Sequence, residues 1–453
     1  MKTKLKAVLA LILALTFVFS AAACTSDPDK DGSGDASDTS AESTEGTESH
    51  ASSEAGSDTS ADSSDGAHRD PNYKALNYDV MKGIWISQYD TAVFAAGEKQ
   101  RDKRNYEGRV NKICKAISES GFNTVILQVR PFGDSYYPSE YYCPSAFVVG
   151  RYGREFTYDP LKIFVDTAHK YNLSMHAWIN PLRLMTKSEI KDVSTDYVIG
   201  QWYQDEESRA KYLSLYKDRY YLVPGFEETR KLIIDGATEI CRNYNVDAIH
   251  IDDYFYPTAD PTFDAVHYNA VKDEFGSLAT YRREKINQLV YGLHQACKAV
   301  KSDILFGISP AGSIQNNMSG LYADVRTWGS RPGFCDYLAP QIYWGFEHPD
   351  DDCKFDLCYQ DWEALCTEPS VKLVVGLGIY RANRPSPDGE FAEFFSKKDV
   401  IKRQLEYIEG KKNSGFIMYS YVDLFDNYGR ETKPLEEERE NFLPVMQEFG
   451  KDK

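Results

Sequence analysis

Two acids stand side by side near the middle of the chain. They belong to the run Ala248-Ile249-His250-Ile251-Asp252-Asp253-Tyr254-Phe255-Tyr256. If the run is extended, its period of two puts Ile249 and Ile251 on one face, and His250 and Asp252 on the other. Asp252 then sits at the top of the polar face, and Asp253 caps the segment toward the rim. A carboxylate held there can attack an anomeric carbon or stabilise positive charge on it. Cleaving a glycosidic bond takes two carboxyl groups, one protonated and one ionised. Asp252 and Asp253 are the candidate pair. The structural alternative is that they cap the next helix or pair with Arg130 or Arg183.

Other strand-like runs end in residues suited to a sugar. In Met175-His176-Ala177-Trp178-Ile179-Asn180-Pro181 the alternation turns His176, Trp178 and Asn180 inward. Trp178 offers a flat face to a pyranose, or fills the core. His176 lies deeper and reads as a core histidine. Asn180 and Arg183 suit hydroxyl or N-acetyl contacts. Arg130 closes Gln128-Val129-Arg130-Pro131, with Tyr137 shortly after. A buried arginine cannot lose its charge, so Arg130 needs an anionic partner, and Asp252 is the expected one. Gln341, Tyr343 and Trp344 end a further run, and Tyr254 follows the acid pair. The expected substrate-binding set is therefore Arg130, Tyr137, Trp178, Asn180, Arg183, Tyr254, Gln341, Tyr343 and Trp344. Asp90, Asp134, Glu140, Asp324, Glu347 and Asp423 fall in loops after strands, and nothing in their spacing selects one as a second carboxyl.

The elements that must carry these residues alternate. Apolar strand signals fall at 83–88, 124–129, 174–180, 248–252, 305–309, 337–343, 373–379 and 416–421. Helical periodicity falls at 110–120, 160–171, 229–244, 281–300, 400–410 and 436–449, with weaker signals at 322–328 and 355–366. Strand-helix alternation implies a parallel sheet, and eight units fit a (β/α)8 TIM barrel with long βα loops. An open doubly wound sheet would want a glycine-rich phosphate loop after the first strand. Trp85-Ile86-Ser87-Gln88-Tyr89 has none. In a barrel the polar strand ends form the active face.

The formal charge of -17 over 453 residues argues against nucleic acid as a partner. It is concentrated: residues 25–70 carry -11, and the remainder beyond them -9. Lys2, Lys4 and Lys6 precede an apolar stretch at 7–19, then Ser20-Ala21-Ala22-Ala23-Cys24. Small residues running into a cysteine read as a lipoprotein signal, 1–23, with Cys24 as the lipid attachment site. A plain secretory signal is the alternative. Residues 24–72 read as a tether rich in Ser, Asp and Glu. Beyond Cys24 it has nothing apolar of size to bury, so disorder is expected, with a reach of roughly 35–40 Å. The barrel is expected over 78–450. Cys114, Cys241 and Cys297 read as buried small hydrophobes, while one pair among Cys353, Cys358 and Cys366 is close enough in sequence to bridge. No CxxC or Cys/His ligand spacing is present, so neither metal nor other cofactor is expected.

Taken together, several strings resemble the glycosyl-hydrolase-like family 10 group of bacterial envelope proteins. They are Gly121–Val125 with Gln128–Pro131, Asp159–Leu161, His176–Arg183, Ile249–Pro257, Ile308–Pro310 and Pro340–Trp344. The likeness spans roughly residues 80–430. It implies a TIM barrel, a lipoprotein signal and action on cell-envelope glycans, peptidoglycan strands in particular, with the Asp pair lining the glycan cleft. A fainter likeness links Asp247–Tyr254 to chitinase-type hydrolases, where a catalytic Glu stands at the place of Tyr254. The expectation is an exported monomer, lipid-anchored at the outer face of the cell membrane, that hydrolyses an envelope polysaccharide. The alternative is a glycan-binding lipoprotein that has lost hydrolysis on the same barrel.

Overall fold

The computed structural model describes residues 69–90, 94–383, 389–425 and 433–451. The signal segment, Cys24 and nearly all of the tether lie outside them. The barrel strands are β1 (Met81–Ile86), β2 (Thr124–Arg130), β3 (Ser174–Ile179), β4 (Ala248–Ile251), β5 (Leu305–Ile308), β6 (Tyr337–Leu338), β7 (Val375–Leu377) and β8 (Gly415–Met418). All pair in parallel. Just before β7, Lys372–Leu373 pairs with β6, while β7 itself pairs with β8. One stretch of chain therefore joins both edges of the sheet and closes the barrel.

Each strand leads to a helix of the outer ring. These are α1 (Lys103–Glu119), α2 (Pro160–Lys170), α3 (Glu227–Asn243), α4 (Leu278–Val300), α5 (Val325–Ser330), α6 (Phe355–Leu365), α7 (Val400–Glu409) and α8 (Lys433–Glu448). Starts are written locally: Asp102 accepts from the Asn105 N–H, and Asp159 from Lys162 with Pro160 beside it. On α1 the buried stripe Tyr106, Val110, Ile113, Cys114 and Ile117 follows helical spacing.

The strands sort their side chains by alternation. Ile84, Ile86, Val125, Leu127, Met175, Ala177, Ile249 and Ile251 join the layer between strands and helices. Trp85, Ile126, Trp178, Tyr337, Tyr343, Tyr380 and Ile417 fill the barrel. Two glycines make room for the large rings: a Cβ on Gly307 would meet Tyr337 at 1.8 Å, and one on Gly378 would meet Tyr343 at 2.9 Å.

A polar chain crosses this interior. The Trp85 indole donates to His250 Nε2 (3.3 Å), so the His250 proton belongs on Nδ1 and donates to the Tyr337 hydroxyl (2.8 Å). Tyr337 then donates to His176 Nδ1 (2.9 Å), and His176 Nε2 faces Ser174 Oγ (3.1 Å). Burial holds His176 near 4 and His250 well below the ordinary histidine range, so both rings are neutral at pH 7.

Two segments were not anticipated. Residues beyond 69 are already part of the fold: Tyr73 and Leu76 dock on Asp247, and Ala75 on Asp303. After β3 the chain makes an antiparallel sheet from Arg183–Thr186, Leu213–Tyr216 and Arg219–Leu222, with helices Val198–Gln204 and Glu206–Tyr212 between its strands. The disulfide considered among Cys353, Cys358 and Cys366 is absent: all three are free thiols. Cys241 on α3 and Cys297 on α4 are also free thiols, and they meet each other.

Candidate active site

Strand β4 delivers its acids where period two requires. Asp252 is 3% exposed, and its Oδ1 accepts from the Tyr254 N–H (3.2 Å). The Trp178 indole N–H, which donates to Asn180 Oδ1 (3.0 Å), also supports the Asp252 carboxylate. Asp253 keeps a solvent-facing edge and receives a hydrogen bond from Gln341, which is itself tied to the Ser309 carbonyl (3.0 Å). Arg183 is the cation that acts on both acids. Its guanidinium lies between the Tyr254 ring (4.5 Å) and the Phe132 ring (4.9 Å).

Burial pushes both carboxyls up, and each acid feels a different set of neighbours. Asp252 is driven well above the usual carboxylate range by burial and then by the charge of Asp253, against the pull of the Tyr254 N–H, Arg183 and Trp178. Asp253 is pushed up to about 6 by burial, against Gln341, its own backbone N–H and Arg183. Adjacent carboxyls titrate as a pair. Burial and the charge of Asp253 favour the proton on the deeper acid, Asp252. A pair that holds one proton, one acid and one carboxylate, is the division that glycosidic cleavage uses.

Below the pair lies an aromatic floor. Trp178 and Trp85 approach the His250 ring at 6.4 and 6.0 Å. Tyr343 stacks on Tyr419 (5.9 Å) and meets Tyr380 edge-on (5.7 Å). The structure thus gathers Asp252, Asp253, Trp178, Arg183, Tyr254 and Gln341, with Tyr343 in the floor. Asn180 is 1% exposed, with its oxygen bonded by Gln128 and Trp178 and its nitrogen by the Pro131 carbonyl, so it positions Trp178.

Three expected members stand elsewhere. The pairing of β2 with β3 slips between Gln128 and Arg130. This bulge turns Arg130 out of the barrel, onto the Tyr142 ring (4.4 Å) and against Gly236 of α3. The expected Arg130–Asp252 pair does not form, and Arg183 takes that place. Tyr137 is fully buried beside Tyr244, in the same region as Arg130. Trp344 packs with the outer layer, over Gly312.

The scattered acids also sort themselves. Asp90 is buried after β1 and accepts from the Ser87 N–H and hydroxyl, the Ser420 hydroxyl and the Val422 N–H. It clasps the loops after β1 and β8, with Asp423 bonded to the same serine. Asp134 is buried and accepts from the Phe132 N–H and the Tyr152 hydroxyl. Asp324 caps α5, Glu347 pairs with Lys397, and Glu140 is exposed. Among the described residues no cluster is arranged to hold a metal ion. Phe132, Tyr380 and Tyr419 escaped the sequence reading. The latter two could have been found, since each follows an apolar strand run at the inward register.

The model of the family described as glycosyl hydrolase-like 10 matches residues 80–392. Glycosyl hydrolase YngK of Bacillus subtilis (strain 168) is 33% identical over 368 residues, covering 77% of this chain and 69% of the relative. Glycosyl hydrolase DigH of Escherichia coli (strain K12) is 28% identical over 335 residues, covering 68% and 74%. Among solved structures, the catalytic domain of β-amylase from Paenibacillus polymyxa superposes with a TM-score of 0.51 at 10% identity, over 81% of this chain and 99% of that one. The PgaB (BpsB) glycoside hydrolase domain from Bordetella bronchiseptica gives 0.51 at 11%, over 80% and 99%. The solved structures share the barrel. The family match and the relatives go further: this chain belongs to the glycosyl hydrolase-like 10 family.

Proposed function

We propose that this glycoside hydrolase cuts the glycan strands of a bacterial cell envelope, peptidoglycan strands first among them, using Asp252 and Asp253. Asp252, holding its proton, protonates the oxygen of the scissile bond. Asp253, ionised, faces the positive charge that grows on the anomeric carbon as the C–O bond breaks; a water then adds to that carbon and returns its proton to the pair. Arg183 and Gln341 keep Asp253 ionised, and the Tyr254 N–H and the Trp178 indole hold Asp252 in place. Trp178 and Tyr343 put aromatic rings beneath the pair, and Arg183 stacks on Tyr254 beside it. The carrying observation is the unequal environment of two adjacent acids at one strand end.

The same reading includes a lipid on Cys24 and a tether to the outer face of the membrane. Support comes from the basic, apolar and small-residue order before Cys24. It comes also from the chain's entry into the fold. Residues 73–76 dock on Asp247 and Asp303, which precede β4 and β5. That is the barrel end opposite Asp252.

A second reading, a glycan-binding protein without turnover, draws on Tyr254 standing where chitinase-type enzymes carry Glu. It draws also on the engagement of Asp90 in its loop clasp. Digestion of purified peptidoglycan, with and without stem peptides, followed by mass analysis of the fragments separates the two. Soluble saccharides with new reducing ends are expected. Bound but uncut glycan after long incubation would favour the second reading.

A further inference from the structure

The arginine turned out of the barrel occupies a site of its own. Arg130 is 1% exposed, and neither Nη1 nor Nη2 has a hydrogen-bond partner. It makes no ion pair among the described residues. Its guanidinium rests on the Tyr142 ring, and a Cβ on Gly236 would come within 2.7 Å of Nη1. Tyr137, fully buried within electrostatic reach, also has an unpartnered hydroxyl. The neighbouring acid, Glu239, lies within electrostatic reach of Arg130 without bonding to it, and accepts from the Ser139 hydroxyl (2.6 Å) and the Glu140 N–H (2.7 Å). The Tyr142 hydroxyl donates to the Leu232 carbonyl (3.1 Å).

A guanidinium cannot shed its proton, and a buried charge without a bonded partner is heavily penalised. The face of Tyr142 offsets part of that. What is left is donors without an acceptor. A single water accepts at most two hydrogen bonds and brings no charge to offset the guanidinium. A halide only accepts. We propose that Arg130 and Tyr137 bind a small monovalent anion of the chloride class between β2 and α3.

The site is wired to the acid pair through the backbone. The Arg130 carbonyl accepts from the Asn180 N–H (2.8 Å), and the Pro131 carbonyl from Asn180 Nδ2 (3.1 Å). Asn180 in turn orients the indole that supports Asp252. An anion on Arg130 therefore stiffens the strand end that positions the acid. This consequence for rate rests on the proposed function; the binding itself does not.

The test is thermal unfolding of the full chain in sodium chloride, bromide or gluconate at matched ionic strength. A saturable rise in Tm with the halides, absent with gluconate, is expected. Tyr137→Phe should need about tenfold more halide for the same rise, from the loss of one bond to the anion. Arg130→Met should abolish it. Should that variant fail to fold, bromide-soaked crystals of the wild type decide, with an anomalous peak beside Arg130 expected. A Tm blind to anion identity, or a water and no bromide beside Arg130, would overturn the proposal whatever the enzyme does to glycans.

Discussion

Two acids bracket strand β4, Asp247 just before it and Asp252 just after. Both are buried, at 0% and 3% exposure. Their surroundings differ. Asp247 Oδ1 accepts from the Tyr73 hydroxyl (2.7 Å) and the Leu76 N–H (2.6 Å), and Oδ2 from the Met175 N–H (2.6 Å), with His169 Nε2 at 2.9 Å. Asp252 has the Tyr254 N–H and a shared indole, and faces a second acid. One carboxylate is saturated and the other is starved. Burial alone does not make an acid reactive; burial without enough donors does, because the charged form loses its hydration without replacement. The saturated end fastens the incoming chain, and the starved end is free to exchange a proton.

The comparison can be broken by substitution. Asp253→Asn, which removes the ionised partner, should cut kcat by about a thousandfold, with Tm within a few degrees of wild type. The largest stability effect belongs to the other end. Asp247→Ala strands four groups and should cost about 3 kcal/mol or more in denaturant unfolding, with activity per folded molecule kept. The two ends should also answer oppositely to the amide. The folded-state pKa of Asp252 lies above the unfolded one, so its favourable contribution is present at low pH and lost as pH rises through the pair's range. Asp252→Asn should therefore be more stable than wild type at pH 8, whereas Asp247→Asn should be less stable. Urea titration of both variants would show it.

Smaller effects sharpen the same contrast. Arg183 lowers the pKa of both acids, so Arg183→Met should move the acidic limb of the pH–rate profile to higher pH. A limb that stays put would remove Arg183 from the pair's electrostatics. Tyr73→Phe deletes one donor to Asp247 and should cost about 1–2 kcal/mol, leaving the pH–rate profile unchanged.

Much of this was legible in one dimension. The strands and helices stand near their expected positions because apolar periods of two and of three to four are set by the neighbours in sequence. Asp252, His250 and Trp178 point inward for the same reason. Arg130 broke the rule, since one slip of register past Gln128 reverses the face and nothing local announces it. The sheet after β3 was missed because its strands are only partly buried and lack the continuous apolar run that marks the barrel strands. The docking of Tyr73 on Asp247 was invisible for another reason: the partners are 174 residues apart. The pairing of Arg183 with the two acids depends likewise on where β3 and β4 sit beside each other.

The decisive measurement is the rate at which Asp252→Asn releases reducing ends from purified glycan strands, at a matched folded fraction and with binding measured in parallel. The account predicts a folded protein that still binds the strands and releases almost nothing. Turnover at the wild-type rate by that variant would contradict it.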